Sequence, residues 1–344
     1  MTVGLVYDPI YLEHDTGTHV ENAQRLVVTT GLLKESGLLD RLVTLPPRAA
    51  TFEELSLVHS QQHIDRVEST STRGGAWLDG DTYASPNSYK VALYAAGGVL
   101  RGVDAVMTGE VNHAFALIRP PGHHATPDQA MGFCLFNNVA IAARYALKNR
   151  GLERVLIADF DVHHGNGTEE VFYKDPNVLY FSTHQYPHYP GTGDIGDDGA
   201  GDGKGANVNV PLPAYCGDGE YRRAYEEILA PVARRFKPQL ILVSAGYDNH
   251  WADPLSMMQL TVDGFAGIVG IFKDLADELC QGRLLFSLEG GYHLEALSLS
   301  IRASLEVLLG VPRSADPLGE PRGGTPPRDV DHVLERVAAM HGLK

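Results

Sequence analysis

The sequence predicts an α/β fold: a single domain with a mostly parallel central sheet flanked by helices. Two observations carry this. Short continuous apolar runs recur at Ala114–Ile118, Val155–Ala158, Val178–Phe181, Leu240–Val243 and Leu284–Leu288. They lack polar alternation, so they suit strands buried on both faces. Between them lie helix-length amphipathic stretches at Ser88–Val103, Asn137–Lys148, Gly219–Phe236, Val262–Leu279 and Leu294–Leu309. Strand and helix signals in alternation build parallel sheets.

Each element has its own reason. The first residues, Met1 to Asp8, read as a β-strand, because they carry neither a basic flank nor a signal-type apolar stretch. Secretion is not expected on that ground. No apolar run approaches the roughly 20 residues that cross a bilayer. Arg313–Arg328 is rich in Pro and Gly and reads as a linker, and Asp329–Met340 offers one short amphipathic helix. The expected organisation is one main domain over 1–312 with a C-terminal extension over 313–344 that packs back on the body.

Bulk composition narrows the function classes. Hydrophobic residues make up 44% and charged residues 21% of the 344 residues, an ordinary globular balance. The net charge of −15 repels nucleic acid and would draw in cationic substrates, though acidic surfaces mostly aid solubility; neither nucleic acid nor a membrane is expected as partner. Cys134, Cys216 and Cys280 are too far apart for a metal knuckle, and their odd number argues against a disulfide framework. A reducing cytoplasm is the simplest setting.

The chemistry sits where the strands end. Ala114–Ile118 runs into Arg119-Pro120-Pro121-Gly122-His123-His124, and Val155–Ala158 into Asp159-Phe160-Asp161-Val162-His163-His164. Val178–Phe181 leads to Ser182-Thr183-His184, Leu240–Val243 to Ser244-Ala245-Gly246-Tyr247-Asp248, and Leu284–Leu288 to Glu289-Gly290-Gly291-Tyr292. Open α/β sheets bind ligands outside the carboxyl ends of their strands. Five ends delivering His, Asp or Tyr to one edge suggest an assembled active site.

Asp161 and His163 are two residues apart in extended chain, so their side chains share a side. Asp248 can join them from another strand end. One imidazole and two carboxylates balance a divalent ion and leave a position open for water, the pattern of catalytic zinc; the ligand types alone also admit Fe(II), Mn(II) or Co(II). His123 and His124 supply a base and an acid beside such a metal. Asp159 and Asn166 are candidates to orient them. Tyr292 follows two glycines and could donate to a polarised carbonyl. His19, His184 and His188 are expected to be structural. Gly191–Gly205 matches neither a phosphate-binding loop nor a calcium loop and is expected to be a mobile loop near the site. No Ser or Cys sits in a nucleophile elbow.

Taken in order, these motifs resemble the histone deacetylase and acetylpolyamine amidohydrolase family. The resemblance runs from about His19 to Leu309 and includes Gly132-Phe133-Cys134-Leu135-Phe136-Asn137-Asn138, Asp159 to Thr168 and Pro190-Gly191-Thr192-Gly193. It implies an arginase-like fold and one catalytic Zn²⁺ on Asp161, His163 and Asp248. It implies His124 as general base and then acid, His123 as electrostatic helper, and Tyr292 as carbonyl polariser. Asp159 would pair with His123 and Asn166 with His124. Gly132, Phe133, Tyr189 and Leu255 would line a narrow tunnel. Structural K⁺ would sit near Asp159, Asp161, His163, Ser182 and Thr183, and a second near Phe172, Asp175 and Val178.

Asn166 replaces a class I aspartate and looks like the class II branch. Tyr189 replaces a usual phenylalanine. Leu255 stands where polyamine-selective relatives are acidic, which favours acetyl-lysine over an acetylpolyamine or another small acetylated amine. A homo-oligomer is compatible with this reading. The rivals are a two-manganese ureohydrolase, which lacks its second carboxylate because Gly165 stands there, and a non-catalytic acyl-amine binding module.

Overall fold

The computed structural model describes residues 1–321 and 327–343, so part of the expected linker, 322–326, lies outside the described residues. Among the described residues ten strands are formed: β1 (Val3–Val6), β2 (Val43–Thr44), β3 (Ala76–Trp77), β4 (Tyr83–Ala84), β5 (His113–Ala116), β6 (Val155–Asp159), β7 (Val178–Gln185), β8 (Asn207–Leu212), β9 (Leu240–Ala245) and β10 (Leu284–Leu288). Eight of them make one sheet in the order β2-β1-β5-β10-β9-β6-β7-β8, and every neighbouring pair is parallel. β3 and β4 form a separate antiparallel hairpin.

Apart from the short edge strand β2, every residue of the sheet is buried. That is why the strands read as unbroken apolar runs: helices cover both faces. The helices Ser88–Thr108 and Asn138–Arg150 pack together against the sheet, and Gln24–Glu35, Val262–Cys280 and Leu294–Leu309 form a second packed group. Inside, Phe115 of β5 stacks on Phe286 of β10 with centroids 6.0 Å apart. The final helix, Asp331–Met340, packs near β8 through Leu334 and Val337.

The helix ends follow local chemistry. Asn137 caps the helix at 138 by accepting from Ala140 N, and Gly151 closes it at φ 69°. The helix from Ser88 runs five residues beyond Val103 and stops at Gly109, φ 73°. At 21 residues it is long and apolar enough, by length and composition, to cross a membrane, contrary to the sequence expectation. Most of it is packed inside the protein. The stretch expected as one helix over 219–236 is broken by a π-type segment at Ala224–Leu229.

The topology concentrates chemistry. The five strands whose ends were singled out are five consecutive strands of the sheet, β5-β10-β9-β6-β7. Their ends are level: Asp159 pairs in register with both Ser182 and Ser244, and Leu288 with Ala245.

Candidate active site

The residues just past β6 and β9 converge. The ligand atoms of Asp161, His163 and Asp248 all lie within 4.8 Å of one another. His163 Nδ1 is 3.0 Å from Asp161 Oδ1 and 3.3 Å from Asp248 Oδ2. Main-chain amides fix the carboxylates: Val162 N donates to Asp248 Oδ1 at 3.0 Å, and Gly290 N donates to Asp161 Oδ2 at 2.8 Å. Asp248 Oδ2 is buried without a hydrogen-bond partner. Gly290 leaves it room, since a Cβ there would lie 2.1 Å from that oxygen.

Two buried carboxylates facing one imidazole lack positive charge. Burial and the charge of Asp161 push the Asp248 carboxyl up to about 7. Burial works against charge on His163, but Asp161 and Asp248 override it and raise the ring to about 10. A divalent cation would supply the missing charge, and the donor set, one nitrogen and two carboxylates, fits zinc.

The turn after β5 brings His123 and His124 beside this cluster, with ring centroids 4.0 Å apart. His123 Nδ1 donates to Asp159 Oδ2 at 3.0 Å, and Tyr180 Oη donates to the same oxygen at 3.2 Å. His124 Nδ1 lies 2.8 Å from Asn166 Oδ1. These contacts set the two rings apart. Burial disfavours charge on both. On His123 the carboxylates of Asp159 and Asp161 outweigh burial and raise it to about 10. On His124 burial is reinforced by the neighbouring His123 and His163, which hold it well below the ordinary range. A charged and a neutral imidazole side by side are a division of labour imposed by surroundings.

Glu289 holds the turn in place. Its Oε2 accepts from Gly122 N at 2.6 Å and His123 N at 3.2 Å, while Ser244 Oγ donates to Oε1 at 3.1 Å. Gly132 closes over His124: its φ is +56° and a Cβ would lie 2.3 Å from the ring.

Tyr292 sits past β10 with its ring between the Arg25 guanidinium, 5.0 Å away, and the Phe133 ring at 5.8 Å. Arg25 is tied to Gly291 O and Glu289 O and ion-pairs with Glu21, which also holds Arg119.

Together these groups line a cavity of about 240 Å³: His123, His124, His163 and Tyr292, with walls that include Gly132, Phe133, Tyr189 and Leu255. A larger open cavity of about 810 Å³ shares only Asn166 with the groups described so far in this site. Two further wall residues were not expected there from sequence. His188, expected to be structural, stacks on His163 with centroids 5.0 Å apart and bonds Leu255 O through Nε2 at 3.0 Å. Asp81 reaches the cavity from the β3–β4 hairpin, where Thr82 Oγ1 accepts from Phe133 N. Neither had a sequence signal, because each arrives on a loop rather than at a strand end.

His184 is engaged with Ser182 Oγ and Gly193 O, each at 2.9 Å, and His19 packs edge-on against Phe133 with its Nδ1 accepting from Glu21 N. The segment 191–205 makes contacts with the body: Thr192 Oγ1 lies 2.7 Å from His164 Nδ1, and Ala200 N donates to Tyr173 O at 2.8 Å. Thr183 Oγ1 bonds Tyr225 Oη at 2.9 Å, and Arg144 pairs with Asp175 and covers the Phe172 ring. Val178 begins β7. The side chains of the residues expected to hold potassium are therefore largely committed to protein partners.

Residues 19–308 match the Histone deacetylase domain family. A probable deacetylase of Archaeoglobus fulgidus is 42% identical, over 99% of this chain and 98% of its own. A histone deacetylase-like amidohydrolase of Pseudomonas aeruginosa is 40% identical, over 94% of this chain and 87% of its own. The human polyamine deacetylase HDAC10 is 41% identical over 89% of this chain, which spans 47% of that protein. Among solved structures, the HDA15 HD domain superposes with a TM-score of 0.90 at 36% identity, covering 99% of this chain and 94% of that one. The chain belongs to the histone deacetylase family.

Proposed function

We propose that this protein hydrolyses the acetyl amide of an aliphatic amine, with zinc at Asp161, His163 and Asp248, and that acetyl-lysine is the favoured substrate. One observation carries the reading most: two adjacent imidazoles, one anchored on the Asp159 carboxylate and one on the Asn166 amide, stand beside a metal-type triad in one narrow cavity. When bound, zinc supplies Lewis-acid polarisation of the acyl carbonyl and a water acidic enough to ionise near neutral pH.

The chain's own groups do the rest. His124, neutral, accepts the proton of the attacking water and then delivers it to the departing amine. Asn166 holds the ring so that Nδ1 keeps its proton and Nε2 is the working atom. His123, charged and anchored by Asp159, adds positive field beside the developing oxyanion. The Tyr292 hydroxyl donates to that oxygen. Phe133 and Tyr189 exclude water from the aliphatic stem, and Leu255 offers an apolar wall without a carboxylate. Structural potassium, supported by the family resemblance, would be held through main-chain oxygens around Asp159, Asp161, His163, Ser182 and Thr183, and a second ion near Phe172, Asp175 and Val178.

A small acetylated diamine or polyamine is a second reading, favoured by Asp81, a carboxylate on the cavity wall. Acetate release from acetyl-lysine peptides, acetylpolyamines and small N-acetyl amines tests both. Turnover concentrated in the peptides supports the first reading, and turnover concentrated in the polyamines supports the second. No hydrolysis of any of them by the zinc-loaded protein would leave a binding module and overturn both.

A further inference from the structure

The segment from Asp248 to Leu255 joins a metal-triad residue to the cavity wall, and within it lies Asp253, a carboxylate only 6% exposed. Among the described residues it makes no ion pair. It accepts three main-chain N–H groups instead: Leu255 N on Oδ1 at 3.0 Å, and Tyr292 N and His293 N on Oδ2 at 2.6 and 3.0 Å. A buried carboxylate is costly unless well bonded, and such charge-assisted bonds to amides are short and strong. Helix capping does not account for it, because the His293 side chain already caps the helix at 294 by accepting from Ala296 N.

Chain geometry explains what the carboxylate is for. The β9–β10 ladder ends at the pair Leu288↔Ala245. Beyond it, backbone contact with the β9 side reaches Gly290, whose carbonyl accepts from Tyr247 N at 3.1 Å, and Gly291 at φ +112° then redirects the chain before Tyr292. Asp253 is the group that reaches across this gap from the β9 side. It grips the main chain of Tyr292 and, through its other oxygen, Leu255, whose carbonyl in turn bonds His188. Arg25 and Phe133 flank the Tyr292 ring, and Arg25 also donates to Gly291 O, while Asp253 holds the amides of Tyr292 and His293 themselves.

We infer that Asp253 is a positioning residue for Tyr292, a brace that sets the phenol relative to the metal triad. The inference rests on the role proposed above for Tyr292. A misplacement of about 1 Å at a reacting group costs on the order of 100-fold in rate. Asp253→Ala is therefore expected to lower kcat by about 10- to 100-fold, with KM and bound zinc within about twofold of wild type. Asp253→Asn keeps one acceptor oxygen and is expected to recover part of the loss.

The deciding test is a double-mutant cycle with Tyr292→Phe on the zinc-loaded full chain. Residues that act through one another are non-additive. If Asp253 works through Tyr292, adding Asp253→Ala to the Phe variant costs less than about threefold further. The same large loss in both backgrounds, or a loss that tracks zinc content or folded fraction, would overturn the inference while leaving the Tyr292 role intact. Near-wild-type turnover by Tyr292→Phe alone would overturn that role and the inference with it. Should the alanine variant fail to fold, the cycle is run with Asp253→Asn and read by the same criteria.

Discussion

His124 Nδ1 lies 2.8 Å from Asn166 Oδ1, so the ring proposed as general base is oriented by a neutral amide and not by a carboxylate. Its other neighbours, His123 and His163, disfavour charge on it, as does burial. Asn166→Asp places a negative charge against the ring and stabilises its protonated form. The acid limb of the kcat profile, which reports loss of the neutral base, is expected to move up by about 1–3 pH units. An unmoved acid limb would remove Asn166 and His124 from the proton-transfer step.

Tyr292→Phe deletes one hydroxyl beside the triad while keeping the ring between Arg25 and Phe133. Loss of a single oxyanion donor typically costs about 100- to 1,000-fold in kcat. The thermal midpoint is expected to stay within a few degrees, which steady-state kinetics and a melt check together.

The metal triad is expected to destabilise the protein when no ion fills it. The Asp248 carboxyl is raised to about 7 in the fold, against 3.8 for the free side chain. The native state therefore holds a proton that the unfolded state has released, and stability falls as pH rises from about 4 to about 7. Asp248→Asn removes this raised carboxyl together with one of the two carboxylates that hold the His163 ring charged. In chelator-treated samples at pH 7.5, added zinc is expected to raise the wild-type midpoint and leave the variant unmoved. A wild-type midpoint that zinc does not raise would contradict the metal-site reading.

Acid stability is expected to depend on buried histidines that do not line the cavity. His59 Nδ1 lies 3.0 Å from Thr126 O and its Nε2 accepts from Asn137 N, so both nitrogens are committed in the neutral form. Burial, helped by His63, lowers its pKa to about 3, and burial lowers that of His250 to about 4. Because these folded values lie below the unfolded 6.5, the stability from keeping them neutral is full above pH 6.5. It is lost as the pH falls towards those values. At pH 5 the loss is about 2 kcal/mol for each. Denaturant midpoints at pH 7 and pH 5 measure it, and NMR should show His59 still neutral in the folded protein at pH 5.

The pattern of what could be read beforehand has a physical basis. β5, β6, β7, β9 and β10 were legible because burial on both faces leaves unbroken apolar runs. The side chains at their ends were legible because parallel strands all end on one edge. β8 was not: Asn207 and Asn209 alternate with valines, and Pro211 reads as a strand breaker. The polar positions are inside because both asparagines donate to Glu169 Oε2. Helix Gln24–Glu35 escaped because Arg25 and Thr29 lie on its buried side, where an amphipathic pattern would place apolar residues. Glu289 was visible in its motif, but its partners are the backbone amides of Gly122 and His123, and no residue code announces those. Asp81 and His188 reach the cavity from loops, so only the folded chain places them there.

The central claim is that Asp161, His163 and Asp248 hold one zinc ion on which hydrolysis depends. Its most direct test is acetate release from an acetyl-lysine peptide by chelator-stripped protein, titrated back with zinc. The account predicts no turnover after stripping and full recovery at one equivalent per chain. Undiminished cleavage by the stripped protein, or recovery only at two equivalents, would contradict it.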